Sequence, residues 1–297
     1  AMGGVGASST WNRGLRGSLR TRFGEHPSWH KVIFDRSYHH GCIDAWLGLR
    51  NVPSGTNQLH KAGGLRTTIH RDGLIPIYMS TVNDYLALTK PRITWLILMS
   101  TAVGFYFGLP YLQTANVPWV LFHLIFGTAL IASGTAALNQ WWERESDRLM
   151  SRTATRPLPS GKIEANNALI FGAVLAALGF TELWLGCNLL TALLGLFTLV
   201  TYLFLYTPLK LRSPHSTTIG AIPGAMPPLI GYAAARGVLT LEAWALYAIL
   251  FVWQFPHFYA IAWMYREEYG RAGIKMLPVV EPDGNSTANR ILWTSIL

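Results

Sequence analysis

Acidic side chains are scarce in this sequence. Fifteen Asp and Glu stand against 24 Lys and Arg in 297 residues, and charged residues of both signs make up only 13%. A soluble domain carries about 25%, so this chain lacks the polar surface that keeps a globular protein dissolved. The same shortage excludes a disordered tail or a nucleic-acid arm as the main reading. The net charge of +9 therefore predicts no nucleic-acid partner. Membrane proteins are basic too, because Lys and Arg gather on the cytoplasmic side. Cysteine is nearly missing: Cys42 and Cys187 supply neither a disulfide framework nor a zinc spacing.

The longest absence lies between Ile93 and Trp142, fifty residues without one Asp, Glu, Lys or Arg. One membrane span needs about 20 apolar residues, and Leu109-Pro110 with Asn116-Val117-Pro118 divide the run into helices near 93–112 and 118–139. Further uncharged stretches cover 165–181, 183–209, 213–235 and 243–265. The pattern predicts an all-α, polytopic transmembrane helical bundle with six complete spans and a seventh beginning near Arg290. The loops test this independently. Alternate loops on one side hold thirteen Lys and Arg, and the opposite loops hold one, Arg236. That asymmetry follows the positive-inside rule and places the basic face in the cytoplasm of a bacterium or the matrix of a mitochondrion.

The first 78 residues are different. Residues 1–80 hold ten Lys and Arg, four Asp and Glu and six of the nine His, with no sustained apolar period. They are expected to be disordered. They read as a mitochondrial presequence, as a flexible extension, or as sequence upstream of a start at Met79, and the last reading is preferred because organised patterning begins there. The expected division is thus 1–78 as an N-terminal extension and 79–297 as the membrane domain.

The loop after the second predicted span carries the chemistry. Asn139, Glu143 and Asp147 are four residues apart, so on a helix they line one face. Such oxygens suit a hard cation such as Mg2+, which takes one or two carboxylates and completes its shell with phosphate. Arg148, Arg152 and Arg156 repeat the spacing on the adjoining face, and Arg offers a fork of N–H donors matched to phosphate. Pro157 and Gly161 are expected to end this helix. The plainer alternative is a solvated amphipathic loop with pairs such as Glu145 and a nearby Arg. It does not explain polar Asn139 and Glu143 at the end of an uncharged span.

Elsewhere, Lys210 and Arg212 either contact a second phosphate or anchor a span end by snorkelling. Gly220 to Pro228 is rich in Gly and Pro, so this span must be kinked against protein or a cavity. Gln254 and His257 are polar groups inside an apolar run and are functional candidates by default. His257 ligates iron, shuttles a proton, or hydrogen-bonds a carbonyl. His123 is expected to be a packed interior residue. Glu267 and Glu268 hold a second Mg2+ or form a helix-end charge pair.

The Asn139-x-x-x-Glu143-x-x-x-Asp147 row followed by Arg152-Thr-x-x-Arg156-Pro-Leu resembles the first signature of the intramembrane aromatic prenyltransferases, the UbiA superfamily. Four further segments resemble its heme-farnesylating branch: Thr89-Lys90-Pro91-Arg92, Tyr206-Thr207-Pro208-Leu209-Lys210, Trp253-Gln254-Phe255-Pro256-His257-Phe258 and Arg266-Glu-Glu-Tyr269. The Gly220–Gly231 run fits the same branch. This resemblance covers about 80–297 and looks closer to bacterial members than to mitochondrial ones.

The resemblance implies transfer of a farnesyl group from farnesyl diphosphate to a vinyl group of heme B, with Mg2+ as cofactor. Asn139, Glu143, Asp147 and Glu268 would then be the metal ligands, and Glu268 stands where the family usually has Asp. Arg152, Arg156 and Lys210 would neutralise the departing diphosphate, and His257 would lie on the heme side. Lys90, Arg92, Arg148, Tyr206, Gln254, Arg266 and Tyr269 would bind substrates. A lipid bilayer and a heme A synthase are the implied surroundings and partner, in a bacterial inner membrane or a mitochondrial one. The superfamily's nine spans imply that this chain stops at the seventh. Ser213-Pro214-His215-Ser216 replaces the usual basic, Asn-containing loop. Two other readings remain at this point: a relative that prenylates a quinone precursor or chlorophyllide, and a transporter or heme-handling scaffold without turnover.

Overall fold

A computed structural model describes residues 81–297; the expectations for residues 1–78 lie outside the described residues. Among the described residues the regular structure is entirely helical. A short helix α1 (Val82–Leu88) precedes α2 (Pro91–Gly108), α3 (Val117–Arg148), α4 (Ala165–Gly186) and α5 (Leu189–Val200). Helix α5 continues through a π-helical turn (Thr201–Tyr206) into Thr207–Leu209. Then follow α6 (Ser216–Gly224), α7 (Met226–Arg236), α8 (Leu241–Met264), α9 (Arg266–Arg271), α10 (Leu277–Val280) and α11 (Asn285–Ile296). The stretches Thr114–Arg148, Ala165–Gly186, Leu189–Leu209 and Leu241–Met264 are long and apolar enough to cross a membrane.

Local chemistry sets the boundaries. Asp84 accepts hydrogen bonds from the backbone N–H and the hydroxyl of Thr81, at 2.9 and 2.8 Å, and so caps α1. Pro91 opens α2, where its missing N–H has no helical partner to lose. The expected span 93–112 is shorter at its end, because the chain tightens into a 3-10 turn at Leu109–Tyr111. The Gly/Pro-rich span is broken at Ala225 into α6 and α7.

Close approach of small residues sets the packing. A Cβ on Gly134 of α3 would lie 2.6 Å from the Ala176 backbone nitrogen of α4, and one on Gly179 would lie 2.5 Å from that of Ile131. Side chains larger than hydrogen would force these two helices apart. Gly104 and Gly231 do the same for α2 and α7, where an added Cβ would overlap the carbonyls of Pro228 and Thr101. Van der Waals contact between closely approaching backbones is the main force available between helices in lipid. Helix α7 is buried from Met226 to Ala235, while Trp95, Phe122, Phe126, Leu178, Trp184 and Phe204 face outward. Apolar groups outside and small residues inside suit a hydrocarbon surround.

Two expectations are corrected here. Helix α3 does not stop near 139 but runs to Arg148, carrying the whole Asn139, Glu143, Asp147 row. It also ends at Arg148, well before Pro157, so Arg152 and Arg156 are not on a helical face. The physical reason is a fold-back: the Thr153 hydroxyl donates to the Asp147 carbonyl at 2.8 Å, and the Arg156 guanidinium to the Asp147 carboxylate at 2.8 Å. These bonds hold the following loop against the helix end.

Candidate active site

At the end of α3 a polar cavity of about 120 Å³ is lined by side chains from several elements. The acid row supplies Asn139, Glu143 and Asp147, the fold-back loop Arg152 and Arg156, and the chain before α2 supplies Lys90. The end of α5 contributes Tyr202, Tyr206 and Lys210, and the segment after α8 contributes Tyr269, Ile274 and Met276. The volume is below the ~300 Å³ of a drug-sized pocket, so the polar part matches a headgroup rather than a whole amphipathic substrate.

Every oxygen donor of the row faces a cation. Lys90 Nζ donates to Asn139 Oδ1 at 3.1 Å, Lys210 Nζ to Glu143 Oε1 at 2.8 Å, and Arg156 Nη1 to Asp147 Oδ2 at 2.8 Å. Three negative or oxygen-bearing groups and their three cationic partners therefore share one cavity, with Arg152 as a fourth cation in its lining. Lys90 reaches it from a left-handed backbone, φ 48°, the one positive φ of a non-glycine residue among the described residues. That conformation costs a non-glycine residue energy and is tolerated where surrounding contacts fix it. Burial, and next the Arg156 charge, bring the Lys90 ammonium down to about 8. Burial also opposes the Lys210 charge, but the Glu143 carboxylate outweighs it and holds Lys210 well above its usual range.

The aromatic groups have positions of their own. Tyr202 and Tyr206 lie with ring centroids 5.1 Å apart, and Lys210 Nζ sits 4.5 Å over the Tyr206 ring. Arg152 stacks 4.8 Å over Tyr265. Gly220 allows this wall to close, since a Cβ there would lie 2.6 Å from the Tyr206 ring.

Other expected residues lie elsewhere. Arg148 is exposed and pairs with Glu145 at 3.0 Å, the plain i,i+3 contact. Arg92 is exposed at the start of α2. Arg266 donates to the Trp263 carbonyl at 3.0 Å and stacks on the Trp263 ring. Gln254 is buried and donates to the Ala221 carbonyl at 3.1 Å, clamping α8 to the break between α6 and α7. His257 is exposed on α8 and stacks on Trp253 at 4.9 Å. Glu268 accepts from the Ser151 hydroxyl at 2.8 Å, and its second oxygen is buried without a partner among the described residues. His123 bonds Glu182 at 2.6 Å near the opposite end of α3.

Among the described residues no three His, Cys, Asp or Glu side chains cluster as metal ligands, and Glu268 is outside the cavity lining. The donor set at the row is two carboxylates and an amide oxygen, which fits Mg2+ with phosphate oxygens completing the shell. The sequence reading missed Tyr202 and Thr207. Tyr202 is four residues before Tyr206 and eight before Lys210, a helical spacing that points to it.

The described residues form a helical bundle with carboxylates and cations converging at one helix end, a charge pattern that suits a multiply charged anion. Residues 95–297 match the UbiA prenyltransferase family, and the chain belongs to that family. It is a multi-pass membrane protein and a prenyltransferase. The protoheme IX farnesyltransferase of Solibacter usitatus (strain Ellin6076) is 64% identical over 221 residues, covering 71% of this chain and 74% of the relative. That of Koribacter versatilis (strain Ellin345) is 51% identical over 217 residues, covering 73% and 70%. A UbiA homolog from Archaeoglobus fulgidus, solved with DMAPP and Mg2+, shares the fold with a TM-score of 0.56 at 19% identity over 72% of this chain and 74% of that one. A digeranylgeranylglyceryl phosphate synthase structure has a TM-score of 0.57 at 20% identity, over 72% and 73%.

Proposed function

We propose that this chain transfers the farnesyl group of farnesyl diphosphate to a vinyl group of protoheme IX (heme B), forming heme O and releasing diphosphate. The observation that carries the reading is the cavity in which Asn139, Glu143 and Asp147 each face Lys90, Lys210 or Arg156. Names of relatives at up to 64% identity support the choice of both substrates.

Asn139, Glu143 and Asp147 would hold Mg2+, and Glu268, with its unpartnered oxygen, is the candidate for a second ion. Bound Mg2+ would supply positive charge to the diphosphate oxygens as the allylic C–O bond weakens. Arg156, Lys210, Lys90 and Arg152 meet the remaining phosphate charge. These cations already sit beside the carboxylates, so little reorganisation accompanies the change of partner. The Tyr202, Tyr206 and Tyr269 rings shield the allylic end from water and stabilise developing positive charge on their faces.

The terminal vinyl carbon of heme would bond to the allylic carbon as the C–O bond to diphosphate breaks, and water would add to the resulting cation beside the porphyrin ring and lose one proton, which leaves the hydroxyethylfarnesyl group. His257, outside the diphosphate cavity, is assigned to the heme side. The basic residues that crowd the cavity end of the bundle support placing it on the cytoplasmic face of a bacterial inner membrane. A heme A synthase would consume the product.

The test is an assay of the membrane-reconstituted chain with heme B, farnesyl diphosphate and Mg2+. A product heavier than heme B by one farnesyl group and one hydroxyl is expected, and Glu143→Gln should remove it. Turnover of a quinone precursor or chlorophyllide in place of heme would overturn the assignment.

A further inference from the structure

Thr207 is buried, 2% exposed, where the π-helical turn of α5 meets the acid row. Its hydroxyl carries one proton, and that proton is committed: Oγ1 donates to the Tyr202 carbonyl at 2.9 Å, five residues back. The π-register provides this acceptor, because Tyr202 O there also takes the N–H of residue 207. A hydroxyl that has given its proton can only accept from other neighbours. The neighbour is Asn139, whose Nδ2 donates to Thr207 Oγ1 at 3.2 Å.

An asparagine amide has two nearly isosteric orientations, and its hydrogen-bond network decides between them. Here both ends of the amide agree. Thr207 accepts from the NH2 group, and Lys90 donates to Oδ1. Once Lys90 turns to phosphate, the NH2 side of the amide is held by Thr207 and by the Glu143 carboxylate, and Glu143 is itself a candidate metal ligand, which leaves Thr207 as the partner outside the metal shell. A reversed amide would present N–H donors to a cation, which no metal ion accepts.

We propose that Thr207 is a positioning residue that keeps the oxygen of Asn139, and not its NH2, aimed into the cavity. The proposal rests on the reading of Asn139 as a Mg2+ ligand. It makes the π-helical turn of α5 part of the site, since that turn brings the Tyr202 carbonyl, five residues back, to the N–H and hydroxyl of Thr207. Partners of this kind behind metal ligands are worth about 10- to 100-fold in metal affinity.

The test uses the full chain in nanodiscs with Mn2+ as the probe metal and inorganic pyrophosphate, free Mn2+ being read by electron paramagnetic resonance. Thr207→Val should weaken Mn2+ binding by about 10- to 100-fold, while Thr207→Ser keeps it. Thr207→Ala serves if the valine variant does not fold. In an Asn139→Asp background there is no amide to orient, so the same Thr207 change should matter by no more than about 2-fold. Unchanged Mn2+ binding in Thr207→Val, or an equal loss in the Asn139→Asp background, overturns the proposal. If Asn139→Ala itself leaves Mn2+ binding intact, the metal reading of Asn139 fails first, and the two failures are thereby told apart.

Discussion

The Lys210 ammonium donates to the Glu143 carboxylate at 2.8 Å, with both side chains largely buried. The contact ties the end of α5 to the acid row of α3 across 67 residues of sequence. It has two consequences, one for stability and one for turnover. Breaking a buried pair leaves an uncompensated charge, a loss of about 3–5 kcal/mol. Glu143→Gln should therefore lower thermal stability as well as turnover. Combining it with Lys210→Met removes both charges and should restore most of the melting temperature. Turnover should stay down by about 100- to 1,000-fold in either case. Recovery of activity in the double variant would show that the pair is architectural only.

The basic residues at the end of α3 and in the loop that follows divide into two groups. Arg156 meets Asp147 and lines the cavity, whereas Arg148 meets Glu145 on the exposed side. Surface pairs of the second kind contribute about 0–1 kcal/mol. Arg148→Ala should leave kcat/KM for farnesyl diphosphate within about 2-fold. Arg156→Lys keeps the charge but loses the planar fork that faces a carboxylate or phosphate. It should raise KM about 10-fold or more, since a charged hydrogen bond is worth roughly 1.5–3 kcal/mol. Steady-state kinetics on the two variants side by side distinguishes the roles.

Lys90 gives the site a pH limit. Burial and neighbouring cations bring its ammonium down to about 8. Below that pH it is charged and can meet phosphate; above it the charge is lost. The profile of kcat/KM, which reports the free enzyme, should fall on the alkaline side as Lys90 deprotonates. Arg stays protonated throughout this range, so Lys90→Arg should move the fall to higher pH even if its maximum is lower. An unshifted alkaline limb in that variant would assign the limb to another group.

Much of the membrane architecture could be read from charge alone. The uncharged run from Ile93 to Trp142 and the thirteen-to-one loop asymmetry call for helices in lipid, and the four-residue spacing of Asn139, Glu143 and Asp147 puts them on one face of α3. The spacing of Arg148, Arg152 and Arg156 misled, because a tertiary contact between Arg156 and Asp147 ends the helical regime that the spacing assumed. Gln254 has a protein partner that spacing does not announce. A polar residue in a span needs a partner, and here the Gln254 amide nitrogen donates to the Ala221 carbonyl near the α6–α7 break. Thr207 was illegible because its importance lies in a π-helical register, which side-chain periodicity does not announce.

Helix packing supplies a control independent of chemistry. A Cβ on Gly179 would press on the Ile131 backbone at 2.5 Å, whereas one on Gly270 meets only Val279 at an ordinary 3.7 Å. Overpacking of a tight contact costs about 1–3 kcal/mol. Gly179→Ala should lower the midpoint of unfolding in mixed detergent, and Gly270→Ala should not. Equal midpoints would mean that α3 and α4 can separate without penalty.

His257 offers a test of the proposed division between the two substrate sites. It lies outside the polar cavity at the end of α3, exposed on α8 and stacked on the Trp253 ring at 4.9 Å. Replacing it by Phe keeps an aromatic ring for that stack and removes both nitrogens, so an effect cannot be ascribed to lost packing. If His257 serves the heme, His257→Phe should raise KM for heme B or lower kcat while leaving the affinity for farnesyl diphosphate within about 2-fold, because distant sites act independently. Heme binding followed by absorbance, beside diphosphate binding followed by displacement of a fluorescent prenyl analogue, separates the two. A change in diphosphate affinity with heme binding intact would move His257 to the other substrate.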